Sequence, residues 1–314
     1  MPDDHLIGHV IAARYHILEL LGVGGMGRVY LAEHVSLGRR CAVKMISPAF
    51  ATSADAITRF NREAANASRI NHPNVAQVYD FGAAENGTLY LAMELVEGEA
   101  LAAILQRLGA LPLARVATIN AQIADALAAA HHLSIVHRDL KPENIMMGRR
   151  HDGAELVKVV DFGIAKTVEQ EGGSQTVTTA GISVGTPAYM SPEQLAGLKV
   201  DHRSDIYALG LVCFHMLTGK LPHPAVTSKE SLVHRLTARP EQLAEARPDV
   251  HWPAGLQGAL DRALAPEADD RYHRAVDFAS DVARAAERAS ARSATPVSAV
   301  TVAPRATTTQ RAVR

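Results

Sequence analysis

The sequence predicts an α+β chain folded as two lobes around a cleft, and three observations lead there. At 314 residues the chain is long for one domain and comfortable for two lobes. Short β-prone segments, with one helix among them, fill residues 15–93, and longer helical stretches follow from about residue 98. In the second part the polar string His137-Arg138-Asp139-Leu140-Lys141-Pro142-Glu143-Asn144 is bracketed by the apolar runs Ile135-Val136 and Ile145-Met146-Met147. A polar loop pinned between apolar runs is held rigidly by a core, which suits catalysis better than a floppy surface turn. Within it Asp139 can accept a proton, Lys141 can hold negative charge beside it, and Asn144 offers a neutral oxygen suited to a hard cation.

Composition narrows the function classes. The net charge of −1 argues against a general nucleic-acid binder. Cys41 and Cys213 lie far apart in no metal-type spacing, which points to a reducing compartment without a disulfide framework. The start, Met1-Pro2-Asp3-Asp4, is not a signal peptide, and the longest apolar stretch, Ile206 to Leu217, is too short to span a bilayer. A soluble, cytoplasmic protein is expected.

In the first lobe, Tyr15–Leu21 and Arg28–Glu33 read as strands flanking Gly22-Val23-Gly24-Gly25-Met26-Gly27. This G-x-G-x-x-G would open a helix in a dinucleotide-binding fold. The β-prone Val29-Tyr30-Leu31 and the break at Gly38 favour a hairpin instead. Glycines at such a tip let backbone N–H groups approach phosphates, although a plain glycine turn has the same signature. Cys41–Ile46 is a third strand, with Ala42, Lys44 and Ile46 on one face. A lysine inside an apolar strand needs a partner unless it reaches solvent. The next helix, capped by Thr52 or Ser53 and running to about Ile70, places Glu63 within its stripe of Phe60, Ala64, Ala67 and Ile70. Lys44 is therefore the natural partner of Glu63, the alternative being that Glu63 sits at the edge of the stripe and reaches water. Val75–Phe81 and Leu89–Glu94 complete a five-stranded antiparallel sheet with one helix.

In the second lobe, Leu113–His132 is a helix presenting Val116, Ile119, Asn120, Ile123 and Leu127 on one face. Leu156–Val160 is a strand ending at Asp161-Phe162-Gly163, where a carboxylate can reach into a cleft and bind Mg²⁺ together with phosphate oxygens. Residues 164–185 are rich in Thr, Ser, Gly and Gln, and read alone they are a disordered loop. The helix from Ser204 to Thr218 is apolar nearly all round, hence central, and Val282–Ala289 is the last helix. From Ser290 the chain has arginines and no acids, the composition of a basic disordered tail.

Taken in order, the glycine loop, Lys44, Glu63, the string 137–144, Asp161-Phe162-Gly163 and Ser191-Pro192-Glu193 resemble the protein kinases over residues 15–289. The Gly-Gly-Met-Gly tip and Ser-Pro-Glu-Gln look most like bacterial kinases of the eukaryotic (Hanks) type, with Ser191 where the family more often has alanine. The resemblance implies a bilobal kinase-like fold: a 1–14 extension, an N-lobe over 15–93, a hinge over 94–97, a mainly helical C-lobe over 98–289 and a tail over 290–314. It implies ATP with Mg²⁺ or Mn²⁺ as cofactors. Leu21, the loop Gly22 to Gly27, Val29, Ala42, Lys44, Met93, Glu94, Val96 and Asp161 would then surround the nucleotide, Met93 guarding its back and the Val96 amide meeting adenine. Asn144 and Asp161 would be the metal ligands, and Asp139, Lys141, Asn144, Lys44 and Glu63 the catalytic set.

The resemblance further implies that Asp205 orders the catalytic loop, that Arg271 pairs with Glu193, and that Thr186 sits beside Asp139 and Lys141. Lys141-Pro142 favours serine/threonine over tyrosine substrates. Arg138 would bind a phosphate on the activation segment, with Thr176, Thr178 and Thr179 as candidate sites of autophosphorylation in trans. The partners implied are ATP, Ser/Thr-bearing proteins and a transient second copy, with no nucleic acid. A nucleotide-binding pseudokinase scaffold is the alternative, expected to lack one of Lys44, Asp139, Asn144 or Asp161. A small-molecule phosphotransferase would lack the segment from Thr176 to Glu193.

Overall fold

The strands β1 (Val10–Ile11), β2 (Tyr15–Gly24), β3 (Gly27–His34), β4 (Arg39–Ile46), β5 (Val78–Ala83) and β6 (Leu89–Met93) form one antiparallel sheet in the order β1-β2-β3-β4-β6-β5. The structure, a computed structural model, describes residues 5–50, 53–162, 187–223 and 238–293. Alternation along β4 sorts its side chains into two cores. Ala42 and Ile46 join the core that runs into the second lobe, whereas Cys41, Val43 and Met45 pack with Ile11, Tyr15 and Ile17 on the far face.

The sheet has six strands, not the expected five. The sixth, β1, comes from the stretch read as an extension, with Val10 opposite His16 and Ile11 opposite Tyr15. The turn between them puts Ala12 and Ala13 at φ 48° and 51°, and Arg14 N–H donates to the Ile11 carbonyl at 3.0 Å. Such a turn normally selects Asn or Gly. Here the Glu85 carboxylate accepts the Ala12 and Ala13 N–H groups, both at 3.1 Å. An Ala-Ala pair gives no local turn signal, which is why the strand was not visible in the sequence.

Helix α1 (Ala54–Ala67) begins at Ser53, whose hydroxyl accepts the Ala56 N–H at 3.1 Å, and buries Phe60, Ala64 and Ala67. In the second lobe α2 (Leu101–Leu108), α3 (Leu113–His132), α4 (Pro192–Leu195), α5 (Arg203–Thr218), α6 (Leu243–Ala246), α7 (Leu256–Ala263) and α8 (Ala275–Ser293) follow in order among the described residues. Helix α3 buries the face its periodicity foretold, Val116, Ile119, Asn120, Ile123 and Leu127. Helix α5 is buried from Ser204 through Thr218 at all but His215, and Gly219 closes it in the left-handed region at φ 77°. The final helix starts at Ala275 rather than Val282 and passes Ala289, because Ala275, Phe278, Ala279, Val282 and Ala285 form one buried stripe. A small sheet, β7 (Glu99–Ala100), β8 (Ile145–Arg149) and β9 (Glu155–Val159), lies at the junction of the lobes. There Val75 bridges Val159 in parallel, and the Asn74 amide donates to the Val157 carbonyl at 2.8 Å and to Gln122 at 2.9 Å.

Candidate active site

The loop 137–144 leaves α3 and enters β8, and α5 holds it from beneath. Asp205, in the first turn of α5, accepts the His137 and Arg138 N–H groups at 2.8 Å each and a bond from His131 Nε2 at 2.7 Å. Burial pushes the Asp205 carboxyl up, and these donors outweigh it, leaving the group below its ordinary value and charged. The His137 imidazole is buried against Phe162, with ring centres 4.6 Å apart. Its Nδ1 accepts the Asp139 N–H at 3.3 Å and its Nε2–H faces the Val160 carbonyl at 3.1 Å, a pattern that fits the neutral ring. Burial lowers its pKa in spite of the carboxylates Asp205, Asp139 and Asp161 around it. Arg138 sits at φ 64° and Asp161 at φ 59°, conformations that cost a non-glycine residue on the order of 1–2 kcal/mol. Both residues flank the chemistry.

The loop brings together the groups the sequence singled out. Lys141 Nζ stands 3.0 Å from Asp139 Oδ2. The Asn144 amide donates to the Asp139 carbonyl at 2.8 Å and contacts its Oδ2 at 3.3 Å. That bond occupies the Asn144 nitrogen on Asp139. Asp139 thus has one carboxylate oxygen fixed by a lysine and an amide, an arrangement that can accept a proton from a bound hydroxyl.

Lys44 corrects an expectation. Its ammonium lies 2.6 Å from Asp161 Oδ2, so its carboxylate comes from the second lobe. Glu63 is engaged instead by the neighbouring Arg62 at 3.2 Å and stays partly exposed. The reason is geometric: α1 buries Phe60, Ala64 and Ala67, which leaves Glu63 at the rim of the stripe, whereas the left-handed backbone at Asp161 brings its carboxylate to the strand lysine.

The hairpin β2–β3 is the glycine loop, turning at Gly25-Met26 with Gly24 opposite Gly27. Gly27 is at φ 146°, and a Cβ there would lie 1.9 Å from the Met45 carbonyl oxygen, so only glycine fits. Leu21, Gly22, Val23 and Gly24 are exposed along the rim of β2. Val29 pairs with Lys44, and Ala42 with Met93, which puts Val29, Ala42 and Met93 in the core beneath the hairpin. Glu94 spends its N–H on the Gln77 carbonyl at 2.8 Å and its carboxylate on Lys158 at 2.7 Å. Among the described residues none accepts the Val96 N–H.

Glu193, in α4, meets Arg271 through two bonds of 2.8 Å. The Arg271 side chain is 0% exposed, with its remaining donors on the carbonyls of Ala265, Pro266 and Arg203. Burial pushes the Glu193 carboxyl up, and the Arg271 and Ser204 hydrogen bonds more than reverse it. Sequence reasoning missed His131, Lys158 and Gln194. Each is an ordinary polar residue on a helix or strand, and only its partner across the fold gives it a task. Gly163, Thr176, Thr178, Thr179 and Thr186 lie outside the described residues.

The comparisons agree with this geometry. The family described as "Protein kinase domain" matches residues 15–285. The chain is 40% identical over 282 residues to the serine/threonine-protein kinase pkn3 of Myxococcus xanthus, covering 90% of this chain and 52% of the relative. It is 38% identical over 277 residues to the serine/threonine-protein kinase PrkC of Bacillus subtilis, covering 88% and 41%. The chain thus spans about half or less of the length of these curated relatives. Among solved structures, the Mycobacterium tuberculosis PknI kinase domain superposes with a TM-score of 0.70 at 32% identity, covering 88% of this chain and 98% of that one.

Proteins of this kind use ATP with a divalent cation. The donors present fit that group: the Asp161 carboxylate and the Asn144 amide oxygen are hard oxygens, and Lys44 stands beside Asp161. No helix among the described residues is long and apolar enough to cross a membrane. From the glycine hairpin to the Glu193–Arg271 pair, the chain belongs to the protein kinase family, with bacterial serine/threonine kinases among its relatives.

Proposed function

We propose that this chain transfers the γ-phosphoryl group of ATP to serine and threonine hydroxyls of proteins, with Mg²⁺ as the cation. The observation that carries the reading is Asp139 held between Lys141 and Asn144 on a loop anchored by Asp205. Asp139 orients the substrate hydroxyl and accepts its proton, and Lys141 steadies the charge on the transferred group. The glycine hairpin covers the phosphates. Lys44 keeps two N–H donors beyond its 2.6 Å bond to Asp161, and these turn to phosphate oxygens when the nucleotide enters. Asp161 and Asn144 would hold the cation, which would supply neutralising charge to the phosphates. Val96 offers its N–H to adenine, with Met93, Ala42 and Val29 as apolar walls. A radiolabelled-ATP assay with a mass-spectrometric map of the labelled residues tests this. Label on serine and threonine of added proteins is the expected result, and its absence with Mg²⁺ and Mn²⁺ alike would overturn the reading.

Autophosphorylation in trans, chiefly at Thr178 or Thr179, is part of the same proposal. Arg138 directly precedes Asp139, and a phosphothreonine brings about −1.5 to −2 charge to such an arginine. Phosphatase treatment should slow the initial rate on an added peptide, and alanine at 176, 178 and 179 should keep it slow. Full initial speed in both would place the switch elsewhere.

A further inference from the structure

We propose that Gln194 is a positioning residue: its side-chain amide fixes the peptide unit that presents Asp139. The proposal deepens the kinase reading and rests on it. Arg138, the residue before Asp139, is in the left-handed region at φ 64°, so its backbone does not hold this shape by preference. Both faces of the residue are pinned. Asp205 accepts its N–H at 2.8 Å, and Gln194 Nε2 donates to its carbonyl oxygen at 2.7 Å. The carbonyl of Arg138 belongs to the same peptide group as the Asp139 N–H, which in turn bonds His137 Nδ1. A bond to that carbonyl therefore sets the plane from which the Asp139 side chain departs.

The orientation of the Gln194 amide is determined by its other partners. Its Oε1 accepts the Ser191 N–H at 3.1 Å and lies 3.2 Å from Ser191 Oγ, closing the capping box at the start of α4. The nitrogen must then face the carbonyl, since the reverse would set oxygen against oxygen on one side and donor against donor on the other. The next residue back, Glu193, is clamped by the fully buried Arg271. Gln194 thus transmits the fixed position of α4 to the catalytic loop across a single hydrogen bond, between residues 56 apart in sequence.

Two substitutions separate capping from positioning. Gln194→Glu keeps an acceptor for the Ser191 N–H, and glutamate serves a capping box as well as glutamine, but it replaces the donor to Arg138 with a carboxylate oxygen. Gln194→Met removes both at similar volume. Initial rates on a peptide, measured with the whole chain against ATP concentration, should show kcat lowered on the order of 10- to 100-fold in both variants with KM for ATP unchanged. The melting temperature should fall in both, through the lost cap in Gln194→Met and through a carboxylate oxygen set against the Arg138 carbonyl in Gln194→Glu, so rates are compared per folded chain. If Gln194→Glu turns over like the wild type, or loses rate only in step with a lost folded fraction, the residue merely caps α4 and the inference is overturned. A raised KM for ATP with kcat intact would overturn it too. A wild-type chain without phosphoryl transfer would sink the kinase reading and this one with it, whereas an active wild type matched by Gln194→Glu would sink this one alone.

Discussion

At the scale of single residues, Asp139 is placed as a base and His137 as a buried neutral spacer. Asp139→Asn keeps the shape and the bond from Asn144 but removes the proton acceptor. Phosphorylation should fall by roughly 10²–10⁴ while ATP binding, read by calorimetry, survives. Near-wild-type turnover would contradict the role of Asp139. The histidines give a pH signature. Burial lowers the pKa of His137, and of His215, whose Nδ1 stands 2.7 Å from the Tyr189 hydroxyl. Unfolded, each titrates near about 6.5. Between the folded and unfolded values the unfolded chain binds more protons, so stability is fully present above about pH 6.5 and declines as the pH falls below it. Urea midpoints at pH 7.5 and 5.5 should show this loss, and His215→Phe should flatten part of it. An unchanged slope in that variant would mean His215 is not held neutral.

At the scale of elements, the clamp between α4 and the segment before α8 is the most stringent. Arg271 has no exposed side-chain surface, and Glu193 offers both oxygens to it. Breaking a buried pair from one side leaves the other charge stranded, which costs about 3–5 kcal/mol. Arg271→Ala should lose about that much in urea unfolding. Arg271→Lys should lose a substantial share of it, because an ammonium cannot reproduce the two-pronged bond to Glu193 or reach the carbonyls of Ala265 and Pro266 together. A lysine variant as stable as the wild type would show that charge, not the planar fork, secures α4.

At the scale of the whole molecule, the polar contacts that join the lobes among the described residues include Lys44 with Asp161, Glu94 with Lys158, and the segment Asn74–Ala76 with Gln122, Val157 and Val159. The first couples the sheet of one lobe to the end of β9 in the other at the place where nucleotide is proposed to bind. A ligand that binds only the folded chain raises its melting temperature by mass action. Mg·ATP should therefore stabilise the wild type, and Lys44→Met and Asp161→Asn should each respond much less. Equal shifts in all three would place the phosphates away from this pair.

The sequence by itself determined the two lobes, the glycine hairpin, the faces of β4, α3 and α5, and the order of the catalytic motifs. These are local properties: alternation or helical periodicity reports which face is buried, and a short motif carries its own spacing. Tertiary structure decided what depends on partners distant in sequence. Glu63, which periodicity set within the stripe of α1, lies at its rim beside Arg62, and Lys44 is taken by Asp161 from 117 residues away, since an ammonium pairs with the carboxylate that reaches it and not the one nearest in the chain. The strand β1 exists because Glu85 holds an Ala-Ala turn that neither alanine favours. Gln194 gains its task only when the fold lays the Arg138 carbonyl against its side-chain amide. Side-chain hydrogen bonds between remote segments leave no periodic trace in either segment, so only the assembled fold shows them.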